Sequence, residues 1–145
     1  MRLIPSLAIL SSAVLPCLAY ARRARATYDY IYNNPNWALS NTACSNGVNG
    51  LEDKWPTLGD VPNYPFVGGV PGLTWNSTLC GTCWRLDYDA PNGTINIMKI
   101  IAVDAAGTFN IAEAAFRTWA GSGGVDAGAV NTIATLLSPA DCGIF

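Results

Sequence analysis

Cysteine is the residue with the widest chemical range in this chain, and Cys80-Gly81-Thr82-Cys83 sets two of them at CxxC spacing. Thiolates so spaced exchange disulfides or ligate a metal. The redox reading needs a thioredoxin-like βαβ setting, usually intracellular, and neither condition is met around this motif. A zinc site needs four ligands from Cys, His or carboxylate, and the chain has no histidine. Cys44 and Cys142 lie far away on either side. Together the four read as a two-disulfide framework, with three pairings open on spacing alone. A second residue stands out. Asp104 follows the apolar run Ile100-Ile101-Ala102-Val103, and an acid at the end of a buried strand is either well paired or in contact with a ligand.

The framework implies an oxidising compartment, and the N-terminus agrees. Arg2 precedes an apolar run from Leu3 to Leu18 that is broken by Pro5 and Pro16. A membrane span needs about 20 mostly apolar residues, so no span is expected here. Ala19-Tyr20-Ala21 offers the small-x-small pattern of a cleavage site. Residues 1–21 therefore read as a signal peptide, 22–26 as a short basic pro-segment, and 27–145 as the mature domain, starting near Thr27. Cys17 leaves with the leader, so five cysteines become four. Four cations then face ten acids, a net charge of −6. That sign gives no footprint for phosphate backbones, and nucleic-acid binding is set aside.

The elements that must position these residues are short. Tyr28 to Tyr32 alternates and reads as a first strand. From Pro56 to Pro71 four prolines and three glycines predict a long ordered loop without regular structure. Trp84 to Tyr88 and Thr94 to Val103 read as a hairpin around Pro91-Asn92-Gly93. Asn110 is placed to cap a helix over Ile111 to Trp119, with Glu113 as its capping-box partner and Gly121 ending it. Val130 to Leu137 is the last strand. The sum is one β-rich, barrel-like domain.

Ala43-Cys44-Ser45-Asn46-Gly47, Trp55-Pro56-Thr57-Leu58-Gly59-Asp60-Val61-Pro62, Val67-Gly68-Gly69, Cys80-Gly81-Thr82-Cys83-Trp84, Val103-Asp104 and Phe109-Asn110 follow in this order. The set resembles the cerato-platanin family of small secreted fungal proteins, from Tyr28 to Cys142. The resemblance implies a mainly β fold, a six-stranded double-ψ β-barrel with short helices and two disulfides, related to the first domain of expansins. It implies the pairing Cys44–Cys80 and Cys83–Cys142. It further implies a non-catalytic elicitor of plant defence that binds chitin or GlcNAc oligosaccharides, loosens chitin or cellulose without hydrolysis, and self-assembles at interfaces. No cofactor or metal is expected. The location implied is extracellular or the fungal wall, with a plant surface receptor as a further partner and a monomer or weak self-association as the state.

Related barrel hydrolases use an aspartate at the position of Asp104 as general acid. Glycoside hydrolysis normally takes two carboxylates, roughly 5–5.5 Å or 6.5–9.5 Å apart, and no second member of such a motif is recognisable. Asp104 is thus a candidate to bond a sugar hydroxyl or to cap local amides, with a hydrolase on the same barrel as the alternative. Asn110 is a candidate for the same polar groove or for a helix cap. Ser45 and Asn46 are turn residues that the family sets near that groove. Of five tryptophans, Trp84 and Trp119 belong to the core, and Trp75, in a Gly/Asn/Ser-rich loop, is the candidate for an exposed ring. Two departures remove charge near the groove: Val48 after Cys44-Ser45-Asn46-Gly47, and Ala129 and Asn131 where the family often has arginine and aspartate. Asn76-Ser77-Thr78 and Asn92-Gly93-Thr94 are N-glycosylation sequons in predicted loops, with Asn92 in what reads as a tight turn.

Overall fold

The computed structural model describes residues 20–145; Cys17 and most of the expected signal peptide lie outside them. Six strands close into a barrel: β1 (Ala21–Asp29), β2 (Val67–Val70), β3 (Cys83–Asp89), β4 (Ile95–Ala105), β5 (Phe109–Ala112) and β6 (Ala129–Leu137). Around the barrel the order is β1-β5-β2-β4-β3-β6. β1/β5 and β2/β4 pair in parallel and the other contacts are antiparallel. This crossed connectivity is that of the expected double-ψ barrel. One helix, α1 (Glu113–Ala127), and four short 3-10 turns complete the described chain.

Alternation builds the hairpin as expected. On β3, Trp84 and Leu86 point inward while Arg85 and Asp87 are partly exposed. On β4, by contrast, Ile100 to Val103 are all buried. Loop backbone pairs with this run edge-on, Gly81 N–H donating to Ala102, Ala102 N–H to Thr82 and Ile101 N–H to Phe66, while α1 and the last 3-10 turn pack against β4. A continuous apolar run is what a strand covered on both faces requires.

Three expectations about elements are corrected here, and the place of residues 22–26 is set beside them. The first strand is Ala21–Asp29, and Tyr30–Asn33 is a 3-10 turn whose N-terminus Asp29 caps. Residues 22–26 are barrel wall: Ala21 to Thr27 pairs with β6 from Thr135 to Ala129. Arg22 turns inward, its guanidinium 5.2 Å from the Trp84 ring centre and 5.6 Å from that of Phe109. A chain beginning at Thr27 would lose this ladder. Kept, the segment gives residues 20–145 seven cations against ten acids, a net charge of −3. The proline-rich window contains β2, whose four residues are all buried. A Cβ on Gly68 would stand 2.3 Å from the Asn110 carbonyl oxygen, so glycine is what lets β2 enter the barrel. Asn110 lies in β5 and caps nothing. The helix starts at Glu113, and its Ala114 N–H is met by the side chain of Asn33 at 2.9 Å. Gly121 does break the helix, at φ 71°.

Both disulfides are those implied by the resemblance, Cys44–Cys80 and Cys83–Cys142. They close stretches of 36 and 59 residues, and chain entropy assigns each about 4 kcal/mol. The two CxxC sulfurs hold two distant segments, and neither bonds the other.

Candidate functional site

Three strands bring the two most informative polar residues to one level of the barrel. Asp104 on β4 stands opposite Gly69 on β2, and Gly69 stands opposite Asn110 on β5. The row continues through Thr27 on β1 to Ala129 on β6. Neighbours across a sheet point to one face. The missing side chain at Gly69 lets the Ala105-Ala106 segment pack directly onto β2 between Asp104 and Asn110. A Cβ there would come within 2.8 Å of the Ala106 methyl. Ala105-Ala106-Gly107 is small and partly or fully exposed.

The carboxylate of Asp104 is engaged on both oxygens. Oδ1 accepts from the N–H groups of Ala43 and Ala105, each at 2.8 Å, and Oδ2 accepts from the Tyr32 hydroxyl at 3.0 Å. Two of these donors are backbone N–H groups, which can only donate. Tyr32 is buried, and burial followed by the adjacent Asp104 charge pushes its phenol well above the ordinary range. It stays protonated and donating. Asp104 is thus a clasp between β4 and the 43–51 loop, with Oδ2 able to accept one more donor. Its polar partners include no carboxylate, and the geometry supplies no proton donor for a general acid.

Asn110 belongs to a hydroxyl chain. Thr27 donates to its Oδ1 at 3.0 Å, and Thr27 and Thr108 lie 2.6 Å apart oxygen to oxygen. With Thr27's one proton on Asn110, Thr108 must donate to Thr27. The Asn110 amide nitrogen has no hydrogen-bond partner among the described residues, and it is the donor this row offers.

Ser45 and Asn46 separate from each other. The Ala43 contact to Asp104 moors the loop that carries Ser45. The Ser45 carbonyl accepts from Leu51 and Glu52, closing that loop on itself. Asn46 faces away and accepts from the Trp75 indole N–H at 2.8 Å. Trp75 is 61% exposed, whereas Trp84 and Trp119 are in the core, as the sequence suggests. Val48, 95% exposed, caps a protruding turn. Ala129 adjoins Thr27, so the missing charge at 129 does border the row. Sequence reasoning missed Tyr32, Gly69, Thr27 and Thr108. The available signal was Gly68-Gly69 between two valines, since paired glycines in a strand mark close backbone approach.

Concave volumes of about 370 and 460 Å³ lie elsewhere on the barrel, and one of about 700 Å³ takes in Ala129 at the end of the row; neither Asp104 nor Asn110 lines any of them. Among the described residues no group of three or more His, Cys, Asp or Glu side chains is placed to hold a metal, and no helix is long and apolar enough to cross a membrane.

With this geometry in hand, comparison with known proteins is decisive. A model of the cerato-platanin family matches residues 25–144. The chain belongs to the cerato-platanin family. The cerato-platanin of Ceratocystis fimbriata f. sp. platani is 41% identical over 123 residues, which are 83% of this chain and 87% of that protein. Allergen Asp f 15 of Aspergillus fumigatus is 39% identical over 118 residues, 80% of this chain and 74% of that one. The crystal structure of cerato-platanin 2 from M. perniciosa superposes with a TM-score of 0.79 at 30% identity, covering 84% of this chain and 99% of that chain. The solution structure titled as that of the fungal elicitor Cerato-Platanin gives a TM-score of 0.69 at 37% identity, covering 81% and 95%. This cerato-platanin shares their barrel over nearly the whole described chain.

Proposed function

We propose that this cerato-platanin is a secreted, non-catalytic carbohydrate-binding protein that loosens chitin or cellulose and elicits plant defence responses. The carrying observation is the row Asp104–Gly69–Asn110, in which an acceptor and a donor stand on either side of a buried glycine. Such a row suits a neutral sugar chain lying along a surface, with hydroxyls and acetamides meeting Asp104 Oδ2 and Asn110 Nδ2. Elicitation rests on the family and on the relative whose title calls it a fungal elicitor. A plant surface receptor and the fungal wall are partners consistent with that reading, and no cofactor enters.

The hydrolase alternative is weakened by Asp104 itself, whose oxygens are held by three donors. Binding to insoluble chitin and cellulose should be read beside reducing-end release from both. Retention on either polymer without sustained release is expected. Turnover abolished by Asp104→Asn would reverse the assignment in favour of the hydrolase.

A further inference from the structure

The fold treats the two sequons differently. Asn76 adopts φ 56°, and its side chain is the anchor of a neighbouring loop. Its Oδ1 accepts from Asn49 N–H at 2.9 Å, and its carbonyl accepts from Asn49 Nδ2 at 2.9 Å. Gly47 packs so closely that a Cβ there would fall 2.6 Å from Asn76 Oδ1. Thr78 makes no bond to it among the described residues. The Asn76 side chain is partly buried against 47–49, just where the Cys44–Cys80 disulfide draws the same two segments together.

Asn92 is the opposite case. It sits at the tip of the β3–β4 hairpin, where Pro91, Asn92, Gly93 and Thr94 are all exposed. The turn is wider than the two-residue one its sequence suggests. Ala90 and Thr94 close it with a 2.8 Å bond, and Gly93 takes φ 83° with open space around it. Asn92 Oδ1 accepts from Thr94 N–H at 3.1 Å and from the Thr94 hydroxyl at 2.7 Å. The sequon's third residue is thus already folded onto its first, which leaves the amide nitrogen without a partner among the described residues and facing solvent.

We propose that Asn92 carries an N-linked oligosaccharide and that Asn76 does not. The donor class is a lipid-linked diphosphate oligosaccharide. The Asn92 amide nitrogen forms a bond to the anomeric carbon, the carbon–oxygen bond to the diphosphate breaks, and the lipid diphosphate leaves with that electron pair. One amide proton passes to a base of the transferase. The inference rests on the secretion part of the function proposed above, and not on saccharide binding.

The test is to express the full chain with its own N-terminus in a secreting yeast. The secreted protein is weighed before and after peptide-N-glycosidase treatment. One glycan is expected, with the deamidation left by the enzyme mapping to residue 92. Asn92→Gln and Thr94→Ala should each abolish it, while Thr94→Ser and Asn76→Gln should keep it. The Ala/Ser pair at 94 serves where Asn92→Gln fails to accumulate. A glycan-free chain in the medium, or a glycan on Asn76, overturns this inference alone. A glycan-free chain retained in the cell overturns both the inference and secretion.

Discussion

Removing the carboxylate at position 104 (Asp104→Ala) would leave the Ala43 and Ala105 N–H groups and the Tyr32 hydroxyl without their acceptor. Hydrogen bonds to a charged group carry about 1.5–3 kcal/mol, so a loss of about 2–3 kcal/mol in urea unfolding is expected. Tyr32→Phe should cost about 1.5–3 kcal/mol, and the double variant should show coupling, since both changes break one bond. Additive losses would mean that the clasp is not a unit. Tyr32 also sets an alkaline limit. Its phenol is raised in the fold by burial and by Asp104, against about 10 for the free side chain. Its contribution is fully present below pH 10 and is lost above it, where the unfolded chain sheds a proton that the folded chain keeps. Unfolding followed between pH 9 and 12 should therefore show a steeper loss for the native chain than for Tyr32→Phe. The Tyr64 phenol, also raised by burial, remains in both and supplies the common slope.

At the scale of elements, β1 makes the most exposed claim. A chain lacking residues 1–26 loses the pairing of Ala21 to Ala26 with β6 and the Arg22 guanidinium over Trp84 and Phe109. It should lose its cooperative unfolding transition and its near-UV signal, while a chain lacking residues 1–20 should keep both. A folded, cooperative product beginning at Thr27 would favour the pro-segment reading. This strand was hidden in the sequence because Arg22-Arg23-Ala24-Arg25 looks like processing chemistry, and its alternation is carried by arginine and alanine. β2 was hidden for a different reason: proline and glycine density outvoted two valines, although only glycine fits against the Asn110 carbonyl. The helix cap was misplaced because a local rule was applied to a non-local solution. Asn33, 81 residues before Ala114, supplies the acceptor. The hairpin and last strand were legible because alternation and Asn-Gly are local signals.

Over the whole molecule, the disulfides tie β3 and the turn before it to the 43–51 loop and to the last 3-10 turn, and the outer barrel face divides its apolar residues. Ile97 and Ile133 flank Asp87 in one outward row, so a charge interrupts what would otherwise be a continuous patch. Fold and disulfides could be read from motif resemblance; the row could not, since register across four strands is absent from any one segment. The central claim is that this row, Thr27, Asn110, Gly69 and Asp104, is where sugar binds. Titrating a chitin oligomer and a cellulose oligomer into isotopically labelled protein, with amide shifts followed by NMR, tests it most directly. Shifts should cluster at Thr27, Gly69, Asp104 to Ala106 and Thr108 to Asn110, and should vanish in Asn110→Ala, which removes the donor. Shifts confined elsewhere, or none with either oligomer, would contradict it.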